Sequence, residues 1–253
     1  MVKELVAGFP KLLDYSHPYT QIYCPGCHYP TFIRALCETV EELEAADDAI
    51  LVTGAGCCFV SFNCFDWDGL GGAHGRSPDI ATGIKRALHG KPLVFTLQGD
   101  GDTIAIGAGS LIAAAGRAEK ITVFMINNGV YGTTGGQLAP TTLMNQTTTT
   151  APLGRTPEYG FPTHTAELVA QLKGTAYSAR CSVTSAANYK RTKKCIKTAL
   201  QKQIDGVGFS FVEILSTCPT NWHKSPIDCV KYVDEVVTTE YPLGEFKNVD
   251  TLE

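Results

Sequence analysis

Two sets of residues have the types and spacing to do chemistry. The first is Gly99-Asp100-Gly101-Asp102, followed by Asn127-Asn128. Glycines let a backbone approach a ligand closely, and a helix opening behind them turns N–H donors toward an anion. A carboxylate in that place repels a phosphate unless a cation lies between them. Asp100 is therefore read as a cation ligand with phosphate oxygens completing the shell, and Mg2+ suits such oxygen donors. If the tripeptide and the Asn pair end neighbouring parallel strands, Asp100 and Asn128 reach one ion from the same edge. A lone Gly-Asp-Gly is common in turns. The succession of strand, tripeptide, Ala/Gly-rich helix, strand and Asn pair is far more specific.

The second set is drawn from ten cysteines. Cys24-Pro25-Gly26-Cys27 is a C-x-x-C turn, which suits a redox dithiol or half of a metal site. A thioredoxin-type dithiol opens a helix just after a strand, and nothing before Tyr23 supplies one. Partners for a metal site are Cys57 or Cys58, behind Gly54-Ala55-Gly56, and Cys218 before Pro219. Two thiolates from one turn and two from distant loops can hold zinc or a [4Fe–4S] cluster, and residue types alone leave both open. Cys37, Cys181, Cys195 and Cys229 fall in regular elements and read as buried thiols. Cys64 lies in a loop without an assigned role.

Positioning these residues takes alternating strands and helices. Apolar spacing predicts a helix from Pro30 to about Glu44 and another from Asp79 to about Leu88. Ala49–Thr53 reads as a short buried strand, and residues 61–78 as a loop. Pro92–Leu97 and Ile121–Ile126 are apolar runs of the parallel-sheet type, joined by a helix over Thr103–Ala115. Residues 129–163 form a Thr-rich stretch with little periodicity, and a loop of that length is usually functional or partner-bound. Helix Ala166–Leu172, strand Ala176–Val183, helix Ser185–Ile204, strand Phe209–Leu215 and helix Ile227–Val237 complete the pattern. The fold class is α/β, with a mostly parallel sheet of about six strands and helices on both faces. One domain over residues 1–253 is the simplest organisation, with an N-terminal C-x-x-C segment and a C-terminal extension.

Composition excludes several classes. The net charge of −4 argues against a nucleic-acid binder, which carries a basic excess. Charged residues make up only 18%, below the roughly 25% of an ordinary soluble domain, so part of the surface is expected to lie under partners. No apolar run approaches the ~18 residues of a membrane span, and no signal-peptide core follows Met1. The expected location is cytoplasmic.

The segment GDGDTIAIGAGSLIAAAGRAEKITVFMINN resembles the signature of thiamine-diphosphate enzymes. YCPGC, GAGC, HGR, ATG, GDGD, YGTTGGQ-x-x-PTT and TCPTNW follow in order over Tyr23–Trp222. The whole resembles the β subunit of the 2-oxoacid:ferredoxin oxidoreductases, relatives of pyruvate:ferredoxin oxidoreductase. The resemblance implies the thiamine-diphosphate-binding fold. It implies thiamine diphosphate held through Mg2+ by Asp100, Asn128 and the carbonyl of Val130, with Gly99, Gly101 and Asp102 near the diphosphate. It also implies a [4Fe–4S] cluster on Cys24, Cys27, Cys57 and Cys218. Cys57 is preferred to Cys58 because it follows Gly-x-Gly directly. The implied reaction is CoA-dependent oxidative decarboxylation of a 2-oxoacid, with electrons passed singly through the cluster to ferredoxin.

By the same resemblance His74 and Arg76 contact cofactor or substrate, beside the plainer reading of a pair that stabilises its own loop, and Tyr131, Gly132 and Thr133 begin a loop over both. His28 and Thr31, behind the C-x-x-C turn, serve equally well for capping and packing. Relatives that handle 2-oxoglutarate resemble YGLTKGQ, where a lysine can pair with the distal carboxylate. Gly135 stands here instead, which tilts the reading toward a branched-chain 2-oxoacid over 2-oxoglutarate or pyruvate. No second motif serves the aminopyrimidine ring or its activating glutamate, so an α subunit is implied, together with small ferredoxin-like subunits. Lys190, Arg191, Lys193, Lys194, Lys197 and Lys202 read mainly as a solvated helix face, and secondarily as a ferredoxin dock. Two other readings stand beside this one. The chain could be a non-redox thiamine-diphosphate decarboxylase or synthase half-subunit, which needs no cluster, or a non-catalytic, zinc-binding assembly subunit.

Overall fold

The computed structural model describes residues 10–13, 23–66 and 68–252. Much of the irregular segment expected over 1–29, including Pro18, lies outside the described residues. The strands are β1 (Ala49–Thr53), β2 (Asp68–Gly71), β3 (Leu93–Gly99), β4 (Thr122–Asn127), β5 (Val130–Tyr131), β6 (Gln137–Leu138), β7 (Thr175–Ser182), β8 (Phe209–Leu215) and β9 (Gly244–Asn248). Seven of them form one sheet in the order β2-β1-β3-β4-β8-β7-β9. All its pairings are parallel except β7 with β9. β5 and β6 make a separate antiparallel ribbon. The helices are α1 (Tyr29–Glu42), α2 (Ser77–Ala87), α3 (Ala108–Gly116), α4 (Thr165–Ala170), α5 (Ala186–Ile204), and the short α6 (Pro219–Trp222) and α7 (Pro226–Tyr232).

Period-two alternation divides the strand side chains between two cores. Leu93, Phe95 and Leu97 of β3, Phe124 and Ile126 of β4, and Val212 and Ile214 of β8 pack with α1 and α5. Val94, Val123, Met125, Phe209 and Phe211 point the other way, onto α2, α3 and α4. Both faces are covered, so apolar residues occupy both faces of β3, β4 and β8 rather than one. Lys193 of the basic helix α5 pairs with Glu38 and Glu42 of α1 at 2.9 and 2.7 Å, which ties the two helices of one layer. Among the described residues no helix is long and apolar enough to cross a membrane.

The structure departs from the sequence-based expectations at several places, among them the β5–β6 ribbon inside the loop expected over 129–163. β2 is a strand inside the loop expected over 61–78. It pairs with β1 through its backbone while its own side chains stay exposed, so it has no apolar signal. α2 begins at Ser77, with Pro78 in its first turn. The expected helix over Thr103–Ala115 is two pieces. Gly101–Ile106 winds as a π turn closed by Gly107 N–H to Asp102 O at 2.9 Å, and α3 follows. Finally, α7 continues as a second π turn over Val233–Val237, and the chain returns as β9 on the far edge.

This topology places the chemistry. All six parallel strands end at one edge of the sheet. Thr53 lies opposite Leu97, Gly99 opposite Ile126, and Asn127 opposite Leu215. The Gly-Ala-Gly-Cys turn, the Gly-Asp-Gly element, the Asn pair and the Thr-Cys segment therefore leave the sheet side by side. Backbone bonds extend the alignment past the strands, from Gly54 N to Leu97 O at 3.0 Å and from Ser216 N to Asn127 O at 2.8 Å.

Candidate cofactor and metal site

Asp100 caps the turn that follows β3. One oxygen, Oδ1, accepts from Gly101 N at 2.8 Å, and Oδ2 accepts from Gly129 N at 2.8 Å and from the Thr141 hydroxyl. Burial pushes its carboxyl up to about 6 against the pull of these donors, and the Glu213 carboxylate adds to the rise. Asn128 holds its own turn, its Oδ1 accepting from Val130 N at 3.1 Å. Its carbonyl accepts from Trp222 Nε1 at 3.1 Å, which fastens it to α6. Gly129, at φ +69°, lets the chain reverse between the Asn pair and β5. Asp100, Asn128 and Val130 line one cleft. A carboxylate, an amide oxygen and a carbonyl form the oxygen donor set that Mg2+ takes, and a cation would relieve the burial of Asp100. The residues fit the ion.

The cleft is also lined by Tyr29, Ala55, Gly56, Cys57, His74, Gly99, Gly101, Asp102, Tyr131, Gly132, Thr133 and Thr134. Gly101 lies under the Tyr131 ring, where an added Cβ would come within 2.2 Å of a ring carbon. That contact keeps the wall thin beside Asp100.

Asp102 lines the same cleft and also holds the loop that carries His74. Its Oδ1 accepts from Gly75 N at 2.7 Å and lies against His74 Nδ1, and its Oδ2 accepts from Gln98 Nε2 at 2.7 Å. Gly54 leaves room for that carboxylate, since a Cβ there would meet Oδ2 at 1.9 Å. With Nδ1 so held, Nε2 is the ring nitrogen left for a ligand in the cleft that His74 lines. Arg76 turns elsewhere. Its Nη1 donates to Ser110 Oγ at 3.0 Å and lies 3.6 Å from Asp79, which braces the loop carrying His74 against α2 and α3.

The four singled-out cysteines approach the same edge. Cys57 opens a tight turn behind Gly56 and lines the cleft, with its Sγ 2.9 Å from Thr133 Oγ1. Cys58 points into the core with α1 and is fully buried, and Cys64 joins the same core. The Cys24–Cys27 turn is closed by Cys27 N to Cys24 O at 3.0 Å. It is tied to the end of β8 by Thr217 Oγ1 donating to Gly26 O at 2.5 Å. Asn221 donates to Cys218 Sγ at 3.2 Å and to Gly132 O at 3.0 Å, linking that thiol to the loop over the cleft. Burial pushes the Cys27 thiol up to about 12, and the Cys57, Cys218 and Cys24 thiols add to it. Burial also raises Cys57 and Cys218. Among the described residues no group of three His, Cys, Asp or Glu side chains could hold a single metal ion. A four-iron cluster is wider than one ion, and its thiolates stand further apart. Thiols crowded so that Cys27, Cys57 and Cys218 hold their protons more tightly are a donor set that a cationic cluster relieves, so the residue types fit it.

Sequence reasoning passed over Tyr29, Gln98, Thr141 and Asn221. Thr141 and Asn221 lie inside motifs already quoted, PTT and TCPTNW. Gln98 ends an apolar strand as its one amide, which was the available signal.

Comparison with known proteins bears on this site. Residues 54–214 match the family model for the thiamine pyrophosphate enzyme, C-terminal TPP binding domain. The chain is 38% identical over 234 residues to the ketoisovalerate oxidoreductase subunit VorA of Methanothermobacter marburgensis, covering 92% of this chain and 49% of that one. The chain thus spans about half the length of that relative. It is 36% identical over 222 residues to the 2-oxoglutarate synthase subunit KorB of Methanocaldococcus jannaschii, covering 85% and 77%. Among solved structures, the 2-oxoglutarate:ferredoxin oxidoreductase from Magnetococcus marinus, with 2-oxoglutarate, coenzyme A and succinyl-CoA bound, superposes with a TM-score of 0.79. That match is 24% identical and covers 96% of this chain and 88% of that one, so it speaks for the fold.

Proposed function

The chain belongs to the β-subunit family of 2-oxoacid:ferredoxin oxidoreductases, built on the thiamine pyrophosphate-binding domain, and from that premise we propose that it is the catalytic subunit for CoA-dependent oxidative decarboxylation of a 2-oxoacid. The observation that carries the reading is one cleft wall shared by two donor sets. Asp100, Asn128 and Val130 line it with oxygens, and Cys57 lines it with sulfur.

Thiamine diphosphate supplies a carbon nucleophile and an electron sink, and a [4Fe–4S] cluster takes electrons one at a time. Asp100, Asn128 and the Val130 carbonyl would hold Mg2+ against the diphosphate, beside the backbone of Gly99 and Gly101. Cys24, Cys27, Cys57 and Cys218 would hold the cluster. Asp102 fixes the tautomer of His74 through Nδ1, so Nε2 can exchange a proton with an oxygen of the bound substrate. Tyr131, Gly132 and Thr133 cover the cleft and keep water from it, and Arg76 holds the His74 loop in place.

Among the described residues the lining of the cleft contains no Lys or Arg. A second carboxylate on the substrate would find no fixed cation there, which favours a branched aliphatic 2-oxoacid over 2-oxoglutarate. The 38% identity to a ketoisovalerate oxidoreductase subunit supports the same choice. An α subunit would supply the aminopyrimidine half of the site and the activating glutamate. Small ferredoxin-like subunits and ferredoxin would carry the electrons away.

The test is iron, acid-labile sulfide, zinc and thiamine diphosphate per chain, on the complex purified without oxygen. About four irons and four sulfides with bound thiamine diphosphate are expected. Thiamine diphosphate without iron would leave a non-redox decarboxylase, and zinc alone would leave an assembly subunit.

A further inference from the structure

Behind the proposed cation site lies a chain of buried charge. Arg180 of β7 and Glu213 of β8 are both fully buried, with Arg180 Nε 3.0 Å from Glu213 Oε2. The other end of the guanidinium grips Glu167 of α4, with Nη1 donating to Oε1 at 2.8 Å and Nη2 to Oε2 at 2.5 Å. Its faces lie against Tyr241 and Phe246, each ring centroid 5.0 Å away. Glu213 Oε1 accepts from Asn127 Nδ2 at 2.7 Å. Asn127 Oδ1 then accepts from Gly129 N at 3.1 Å, the same N–H that donates to Asp100 Oδ2. A parallel route runs from the Tyr241 hydroxyl to Thr141 O at 2.9 Å, and from the Thr141 hydroxyl to Asp100.

The logic is one of donors and acceptors. An amide side chain fits either way round unless its neighbours choose for it. A carboxylate can only accept, so an ionised Glu213 turns Asn127 Nδ2 toward itself and Oδ1 toward Gly129. Arg180 favours the ionised form of Glu213 in a place where burial pushes its carboxyl up. The geometry points to Arg180, acting through Glu213 and Asn127, as a positioning residue that presets Asp100 and the Asn127-Asn128 turn for the cation and diphosphate. This inference rests on the function proposed above and extends it to residues that touch no ligand.

The experiment compares parent and variants, each assembled with its partner chains, by calorimetric titration of thiamine diphosphate in Mg2+. The double variant Arg180→Met with Glu213→Leu replaces a buried ion pair by apolar side chains of similar volume, a change that often preserves stability. Its expected affinity is at least about tenfold below the parent, as for other supports behind metal ligands. Val212→Ala, on the opposite face of β8 among the side chains that pack with α1 and α5, serves as a purely structural control and should lower the melting temperature with affinity within about twofold of the parent. Should the double variant fail to fold, Glu213→Gln keeps the volume and frees the amide orientation. It is expected to weaken binding at least about threefold. Affinity within twofold of the parent in the double variant or, where that fails to fold, in Glu213→Gln overturns the positioning role alone. A parent complex with no Mg2+-dependent binding overturns the proposed function and this inference with it.

Discussion

Asp100 meets two opposed demands. Its carboxylate must stay dry enough to bind a cation strongly, yet burial favours its neutral form, and three donors offset that preference. Asp100→Asn keeps the shape and loses the charge. The variant is expected to fold, with a melting temperature a few degrees lower because the amide faces one donor too many. Mg2+-dependent thiamine diphosphate binding should fall by at least about 100-fold. Titration of the variant showing parental affinity would remove Asp100 from the ligand set. At this scale the sequence was informative where a residue type is improbable in its place. A carboxylate between two glycines at a strand end stands out, and so does C-x-x-C. The His74–Asp102 contact was hidden, because Asp102 sits beside the motif residue and its partner arrives from another loop. Arg180 and Glu213 carried a fainter signal, each the only charged residue in its buried strand, and nothing in one strand says which residue of the next it faces.

Elements built on apolar burial were legible, and those built on backbone pairing were not. β8 spans Phe209–Leu215 in both the periodicity and the structure, since both of its faces are covered. β2 and β9 lie at the sheet edges with largely polar or exposed residues, and their pairing is a matter of hydrogen bonds. A π turn is likewise silent in sequence, because one extra residue in a turn shifts the helical phase without changing composition. The long segment over 129–163 reads as a loop; the two-residue strands β5 and β6 interrupt it, and Arg155 organises it. That side chain is buried and donates to the carbonyls of Pro140, Thr142, Gly160 and Phe161 at 2.6 to 2.9 Å. Arg155→Met would orphan several buried carbonyls at about 1–3 kcal/mol each. Hydrogen exchange should then accelerate across residues 139–163 while β3 and β4 stay protected. Unchanged exchange in that segment would show that its turns hold without the guanidinium.

At the scale of the molecule, the proposed function gives this chain half a site. The cleft has donors for a cation and a diphosphate, and the chain spans about half the length of the VorA relative. Large apolar side chains stand in solvent at Leu153, Phe161 and Ile227. In the proposed assembly these features belong together, since a partner chain would close the cleft. The chain on its own is expected to turn over no 2-oxoacid and to regain activity when the partner is added. Full activity from the isolated chain would refute the shared site. Cys218→Ser should leave the circular dichroism of the sheet intact and remove the iron, and unchanged iron content would strike that thiol from the set.

The bond from Thr217 to Gly26 joins residues 191 positions apart. A ribosome delivers Cys24, Cys27 and Cys57 early, and Cys218 only when the sheet is nearly complete. Closing so long a span costs entropy that local contacts cannot offset, so the four thiols meet last. In the proposed enzyme, iron would then be loaded into a chain already folded and released. Depriving cells of iron should accordingly leave a stable, colourless protein ready to be filled, rather than one degraded during synthesis.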